Sequence, residues 1–238
     1  MFSEFYREYL GLAAPFPEEF GSDSVAKKLY LHLSELSDKG KLFNLTAITD
    51  LHEALRKHII DSLYAAAAVK ELCAEGDLID IGSGGGFPAL PIAVACPDVS
   101  VTALDSTAKK CDFISQTASI CGVTVQTVPE RAEEAVASRR ETFDIATARA
   151  VARLNVLAEL CAPFVKVGGY FLAMKGSAAE EERIEAEEGT KKLGLSFERA
   201  VKYEIEGGGE RSILIYRKIS PTPSAYPRRY AQIKKRPL

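Results

Sequence analysis

Apolar positions follow two periods along this chain. Up to residue 76 they recur at helical spacing: Val25, Leu29, Leu33 and Leu36 make one stripe in SDSVAKKLYLHLSEL, with Ser22 or Asp23 placed to cap it. TDLHEALRKHIIDSLYAAAAVKEL predicts a second helical pair that Thr49 or Asp50 can open. From residue 77 the runs shorten and become β-rich: LIDI (78–81), VSVTALD (99–105), VTVQTVP (123–129), FDIATA (143–148) and GGYFLAMKG (168–176), separated by helix-compatible stretches. Strands alternating with helices imply right-handed βαβ units and a parallel sheet covered on both faces. FERAVKYEIE and RSILIYRKI break that rule. Only GGGE joins them, too little for a crossover helix, so they are predicted to pair as an antiparallel hairpin. The proline-bearing tail SPTPSAYPRRYAQIKKRPL is predicted to be extended. The chain therefore divides into a helical extension (1–76), an α/β domain (77–220) and a tail (221–238).

Composition narrows the class. With 238 residues, 47 % of them apolar, the chain can bury one good-sized core. It has no run of about 18 uncharged apolar residues and no secretory cleavage pattern, so a cytoplasmic location is expected. Cys73, Cys96, Cys111, Cys121 and Cys161 form no C-x-x-C pair and are read as core thiols. His32, His52 and His58 have no ligand-spaced partners, so no metal is expected; the first two are read as packing or surface histidines. Net charge is −3, yet residues 211–238 hold no Asp or Glu and eight basic residues, from Arg211 to Arg236. A basic end on an acidic body points to a polyanion held at one place. The acidic run EEERIEAEE (180–188) is read as a solvated helix face.

The candidate chemistry begins at DLIDIGSGGGFPALPIAV (77–94), the first strand-to-helix junction. A tight turn explains one glycine, but not Gly82, Gly84, Gly85 and Gly86 together. Such a loop lets backbone bend through positive φ while a ligand lies against it, and Pro88 fits a first helical turn. A nucleoside-containing cofactor is implied. Counted from Gly84, GGGFPA satisfies the dinucleotide fingerprint G-x-G-x-x-A; counted from Asp80, DIGSGGG is the first motif of class I S-adenosylmethionine methyltransferases. The absence of a substrate domain or hydride-handling residues favours the second count, as does the antiparallel last strand. Asp105 closes the second strand, where either cofactor class would place its ribose hydroxyls. A nicotinamide-dependent oxidoreductase stays open as the alternative.

NLTAITD (44–50), KHIIDSL (57–63), DIGSGGGFPALPIAV, VTALDSTAKKCDFI (101–114), ERAEE (130–134), TARAVARL (147–154), LAMKG (172–176) and YPRR (226–229) occur in the order seen in the RsmG, or GidB, family, which this chain resembles from residue 44 onward. The resemblance implies a class I S-adenosylmethionine methyltransferase fold, Rossmann-like α/β with seven strands, the last two an antiparallel hairpin, and an N-terminal helical extension. It implies N7 methylation of a guanine in small-subunit (16S) ribosomal RNA. Two departures stand out: Ala89 where the family commonly has Gly, and TARAVA in place of SRAFA, which removes an aromatic beside the site. The family's cofactor contacts carry over to Gly82, Gly84, Gly86, Phe87, Asp105, Ser106, Ala132, Glu133 and Arg149. In that scheme the glycines admit the methionine part, Phe87 offers it apolar surface and Asp105 binds the ribose.

Arg149 ends an otherwise small or apolar strand and has no acid partner evident from sequence, so it is assigned to cofactor, RNA phosphate or both. His58 and Asp61 stand about one helical turn apart, placed to face the same pocket. No [DN]-P-P-[FY] loop and no Pro-Cys nucleophile is present. Guanine N7 carries a lone pair and no proton, so catalysis is expected to be alignment without a general base. RNA contacts are expected from Lys109, Lys110, Arg139, Arg140, Arg149, Arg153, Lys175, Arg228, Arg229, Lys234 and Lys235, with Tyr226 and Tyr230 placed to stack on bases. The protein is expected to act as a monomer on ribosomal RNA or the small subunit. A methyltransferase for another RNA or a small molecule, and a non-catalytic RNA-binding module, are the remaining readings.

Overall fold

Alternate residues of a strand point to opposite faces, and the apolar positions here are arranged to fill both. The computed structural model describes residues 2–43 and 45–238; Asn44, which opens the NLTAITD stretch, lies outside them. In chain order the main elements are α1 (Phe2–Ala13), α2 (Asp23–Phe43), α3 (Leu51–Ala54), α4 (Asp61–Leu72), β1 (Gly76–Ile81), α5 (Ala89–Ala95), β2 (Val99–Leu104), α6 (Ala108–Cys121), β3 (Val125–Val128), α7 (Ala132–Ala135), β4 (Phe143–Arg149), α8 (Leu154–Cys161), β5 (Val165–Lys175), α9 (Ala179–Glu185), α10 (Glu187–Lys192), β6 (Leu195–Ile205), β7 (Gly209–Lys218) and α11 (Tyr230–Lys235). A π turn, Leu55–Ile60, joins α3 to α4. The seven strands make one sheet in the order β3-β2-β1-β4-β5-β7-β6, parallel except for β7, which runs antiparallel to β5 and β6.

Leu78, Val101, Ala103, Ile145, Leu172, Ile213 and Ile215 face one side of the sheet, where they pack under α1, α2, α4, α5 and α6. The intervening residues, among them Ile79, Leu104, Ala146, Phe171 and Leu214, face α8 and its neighbours on the other. The N-terminal helices thus bury the predicted stripe, Leu29, Leu33 and Leu36, in the same core as the sheet. Asp50 caps the second helical run, its side chain accepting the Glu53 N–H at 2.7 Å. All five cysteines are free, and four are buried. No helix among the described residues is long and apolar enough to cross a membrane, and no group of metal-ligating side chains occurs among them.

The tail departs from expectation. It is not extended throughout: 230–235 form α11, whose Ile233 is fully buried against the second core. Ile233 faces inward against the second core while Lys234 and Lys235 face water, so the short helix presents one apolar side to α8.

Candidate functional site

Parallel strands deliver their carboxyl ends to one edge, and the order reverses between β1 and β4, which opens a crevice there. On the β1 side the site is made largely of backbone. The N–H groups of Gly82 and Ser83 donate to Leu104 O at 2.7 and 3.1 Å, fastening the glycine loop to the end of β2. Asp105, 6 % exposed, accepts the Gly84 N–H at 3.1 Å on Oδ2 and the Thr107 N–H at 2.9 Å on Oδ1. A carboxylate has about four lone-pair positions, so Asp105 retains acceptor capacity for a ligand. Gly84 lies at φ +56°, and a Cβ there would meet nothing nearer than Gly82 O at 3.9 Å. Gly82 is closed instead: its Cβ would stand 2.6 Å from Val151 Cγ2. Beside this loop is a cavity of about 370 Å³ lined by Gly82, Asp105, Ser106, Ala132, Glu133 and Tyr230, among others. A deep carboxylate, a side-chain-free cradle and an open floor suit a nucleoside cofactor.

Gly84, Gly86, Phe87 and Arg149 do not line that cavity. Phe87, expected to offer apolar surface to a ligand, is 5 % exposed and packs against the rings of His32 and His58, with centroids at 4.3 and 4.8 Å. His32, read above as a packing or surface residue, is fully buried and bonds Gly85 O through Nε2 at 2.8 Å. A carbonyl only accepts, so Nε2 carries the proton, and α2 thereby clamps the glycine loop. Burial lowers the His32 pKa to about 4. Asp80, at the same loop's base, receives the Thr147 hydroxyl at 3.0 Å, and burial raises its pKa to about 6.

On the β4 side the site is made of charged side chains. Arg149 does have an acid partner: its Nη1 donates to Asp61 Oδ2 at 2.9 Å and to Lys57 O at 3.2 Å, while Nη2 reaches His58 Nδ1 at 3.3 Å. Tyr203 on β6 donates its hydroxyl to Asp61 Oδ1 at 2.8 Å. With Nδ1 accepting, His58 is neutral and donates from Nε2 to Thr46 Oγ1 at 2.9 Å. Burial, then the Arg149 charge, lowers its pKa to about 4. The π turn carries Lys57 and His58, and Asp61 directly follows it. Such turns often mark functional positions. Ala150, at φ +57°, is held in a left-handed conformation that a non-glycine residue seldom adopts. Ala150 and Val151 form the ridge between the first cavity and a cleft of about 600 Å³ lined by Lys57, His58, Asp61, Arg149, Lys175 and Arg211.

The other basic candidates divide. Lys175 is 9 % exposed, paired with Glu182 at 2.8 Å and bonded to Ala152 O at 2.6 Å. Arg228 is spent on Glu159, which is fully buried and accepts the Arg228 backbone N–H at 2.8 Å and its Nε at 2.9 Å. Arg140 holds the carbonyls of Thr222 and Tyr226. Arg153 pairs with Glu181 and Glu185, Arg139 with Glu130 at 3.6 Å, and Lys110 lies 3.8 Å from Asp105. Lys109, Arg229, Lys234 and Lys235 are exposed, with no ion pair among the described residues. Sequence reasoning missed Tyr230 as a cavity wall, Tyr203 as a partner of Asp61, and the His32 clamp. Their contacts span 142 residues for Tyr203 and 53 for His32, with no local pattern to signal either.

A family model described as GidB, rRNA small subunit methyltransferase G, matches residues 25–213. The ribosomal RNA small subunit methyltransferase G of Clostridium beijerinckii is 40 % identical over 216 residues, covering 89 % of this chain and 90 % of that one. Its counterpart in Leuconostoc mesenteroides is 42 % identical over 199 residues, covering 82 % and 83 %. Among solved structures, the chain is similar in fold to P. horikoshii TYW2 in complex with MeSAdo, with TM-score 0.55 and 17 % identity over 68 % of this chain and 62 % of that one. It is also similar to an rRNA methylase from Streptococcus thermophilus, with TM-score 0.51 and 16 % identity over 66 % and 96 %.

Proposed function

The chain belongs to the rRNA small subunit methyltransferase G (GidB) family, and from that premise we propose that it methylates N7 of a guanine in 16S ribosomal RNA using S-adenosylmethionine. The observation that carries this reading is the adjacency of the two cavities. The cavity lined by Gly82 and Asp105 abuts, across Ala150 and Val151, a cleft furnished with Arg149. When bound, the cofactor supplies a methyl group on a positively charged sulfur. Asp105 accepts the ribose hydroxyls with the lone pairs that Gly84 and Thr107 leave free. The N–H groups of Ala132 and Glu133, in the first turn of α7, have no intrahelical acceptor and read the adenine edge. Gly84, lacking a side chain, lets the loop approach the methionine part.

The acceptor guanine enters the second cleft. Its N7 bears a lone pair and no proton, so no side chain has to remove one, and His58, already neutral and engaged by Arg149 and Thr46, is not asked to. The chain contributes alignment: Asp61, the Lys57 carbonyl and His58 hold the Arg149 guanidinium in the lining of the cleft, where it meets cofactor or RNA. Lys109, Arg229, Lys234 and Lys235 supply phosphate contacts, which give affinity rather than sequence choice. Both cavities are lined by residues of one chain, which supports action as a monomer. The test is transfer of labelled methyl from S-adenosylmethionine to small subunits lacking the modification and to their stripped RNA, followed by nucleoside analysis. Label recovered as 7-methylguanosine is expected. Retained cofactor binding with no label in either acceptor would move the search to other RNAs or small molecules.

A further inference from the structure

Four walls of the 370 Å³ cavity come from loops after β1 to β4, as the sheet dictates, but a fifth comes from Tyr230, at the far end of the sequence. Its segment is fastened at several points. Arg228 is locked to Glu159 by backbone and side chain, Arg140 grips the Thr222 and Tyr226 carbonyls, and Ile233 is fully buried. Without Arg228 the Glu159 carboxylate would be left buried and unpaired, so docking of the segment is strongly favoured. The Tyr230 ring is partly buried against the core on the α8 side, and its hydroxyl has no hydrogen-bond partner among the described residues. A groove runs between α7 and α11, and it shares Arg131, Glu133 and Tyr230 with the cavity. That is where the nucleoside end of the cavity would otherwise open to water.

We propose that Tyr230 is a cofactor-contacting residue, its ring closing the nucleoside end of the methyl-donor site and the Arg228–Glu159 pair holding it there; this rests on the reading of that cavity given above. A flat aromatic surface beside a purine face is a contact of useful strength that needs no hydroxyl partner.

The test is calorimetric titration of the full chain with S-adenosylhomocysteine. Tyr230→Ala is expected to weaken binding about tenfold, the scale of one lost aromatic–base contact. It should keep the wild-type circular dichroism spectrum, while Tyr230→Phe should bind within about twofold of wild type. Because the chain has no tryptophan, Tyr230→Trp creates a single reporter, whose emission should change and saturate as the nucleoside binds. Wild-type affinity in Tyr230→Ala, with indifferent emission from Tyr230→Trp, would overturn the assignment. Failure of the wild-type chain itself to bind would instead overturn the methyl-donor reading of the cavity, and the wall with it.

Discussion

The two sides of the crevice are built from different materials. On the β1–β2 side, positions are set by backbone: two N–H groups on Leu104 O, two on Asp105, and a glycine whose missing Cβ leaves room. On the β4 side, Arg149, Asp61, His58 and Tyr203 position one another through side-chain hydrogen bonds reaching across 88 to 142 residues. The first side can lose its ligand while keeping its fold, because the space it offers is not part of the core. In the second, partnering and folding are the same event, because each buried charge is satisfied by another that folding brings to it.

The sharpest way to break that contrast is Gly84→Asp. Asp tolerates a left-handed backbone and the Cβ meets no obstacle, so thermal stability should stay near wild type. A second carboxylate beside Asp105 should nonetheless weaken nucleoside binding by more than about 100-fold, since like charges in a desolvated site cost several kcal/mol. Tight binding by this variant would show that the cradle lies elsewhere. Asp61→Ala probes the other side. It strips a partly buried guanidinium of its buried carboxylate and leaves the Tyr203 hydroxyl unpartnered, and should cost about 3 kcal/mol in urea unfolding. Undiminished stability would mean that Arg149 holds its place by the Lys57 carbonyl alone.

The smallest effect is where His32 stacks on Phe87 and the His58 ring packs against it at a tilt. Both histidines have pKa values lowered to about 4, so between pH 6.5 and 4 the unfolded chain binds more protons there, and stability falls as pH falls. Asp80, raised to about 6, opposes this from pH 6 downward, because the folded state then keeps a proton that the unfolded state gives up. The net is a loss of about 2 kcal/mol on going from pH 7 to pH 5, read as a lower urea midpoint. An unchanged midpoint would show that the imidazoles charge without unfolding.

The same contrast governs what was legible in advance. The parallel β-rich runs, the final hairpin and the glycine loop follow from local period and spacing, since LIDI and GSGGG carry their information within a few residues; the strand order, set by contacts between distant strands, does not. Asp105 was legible because it ends a strand. The acid partner of Arg149 was not: a sequence shows His58 and Asp61 one turn apart but not that β4 ends beside them. Arg228, with its neighbours in an acid-free tail, reads as a free cation because Glu159 lies 69 residues away inside α8. Tyr230 reads as part of an extended tail because α11 is held by docking, not by helical propensity.

Both margins of the sheet bear on how the protein behaves in a crowded cell. One margin is β3, only four residues long, and the other is β6, eleven residues long and studded with Glu198, Arg199, Lys202 and Glu204. A short margin offers little template for another chain, and a charged one repels it. The sheet therefore resists growing into a fibril from either side.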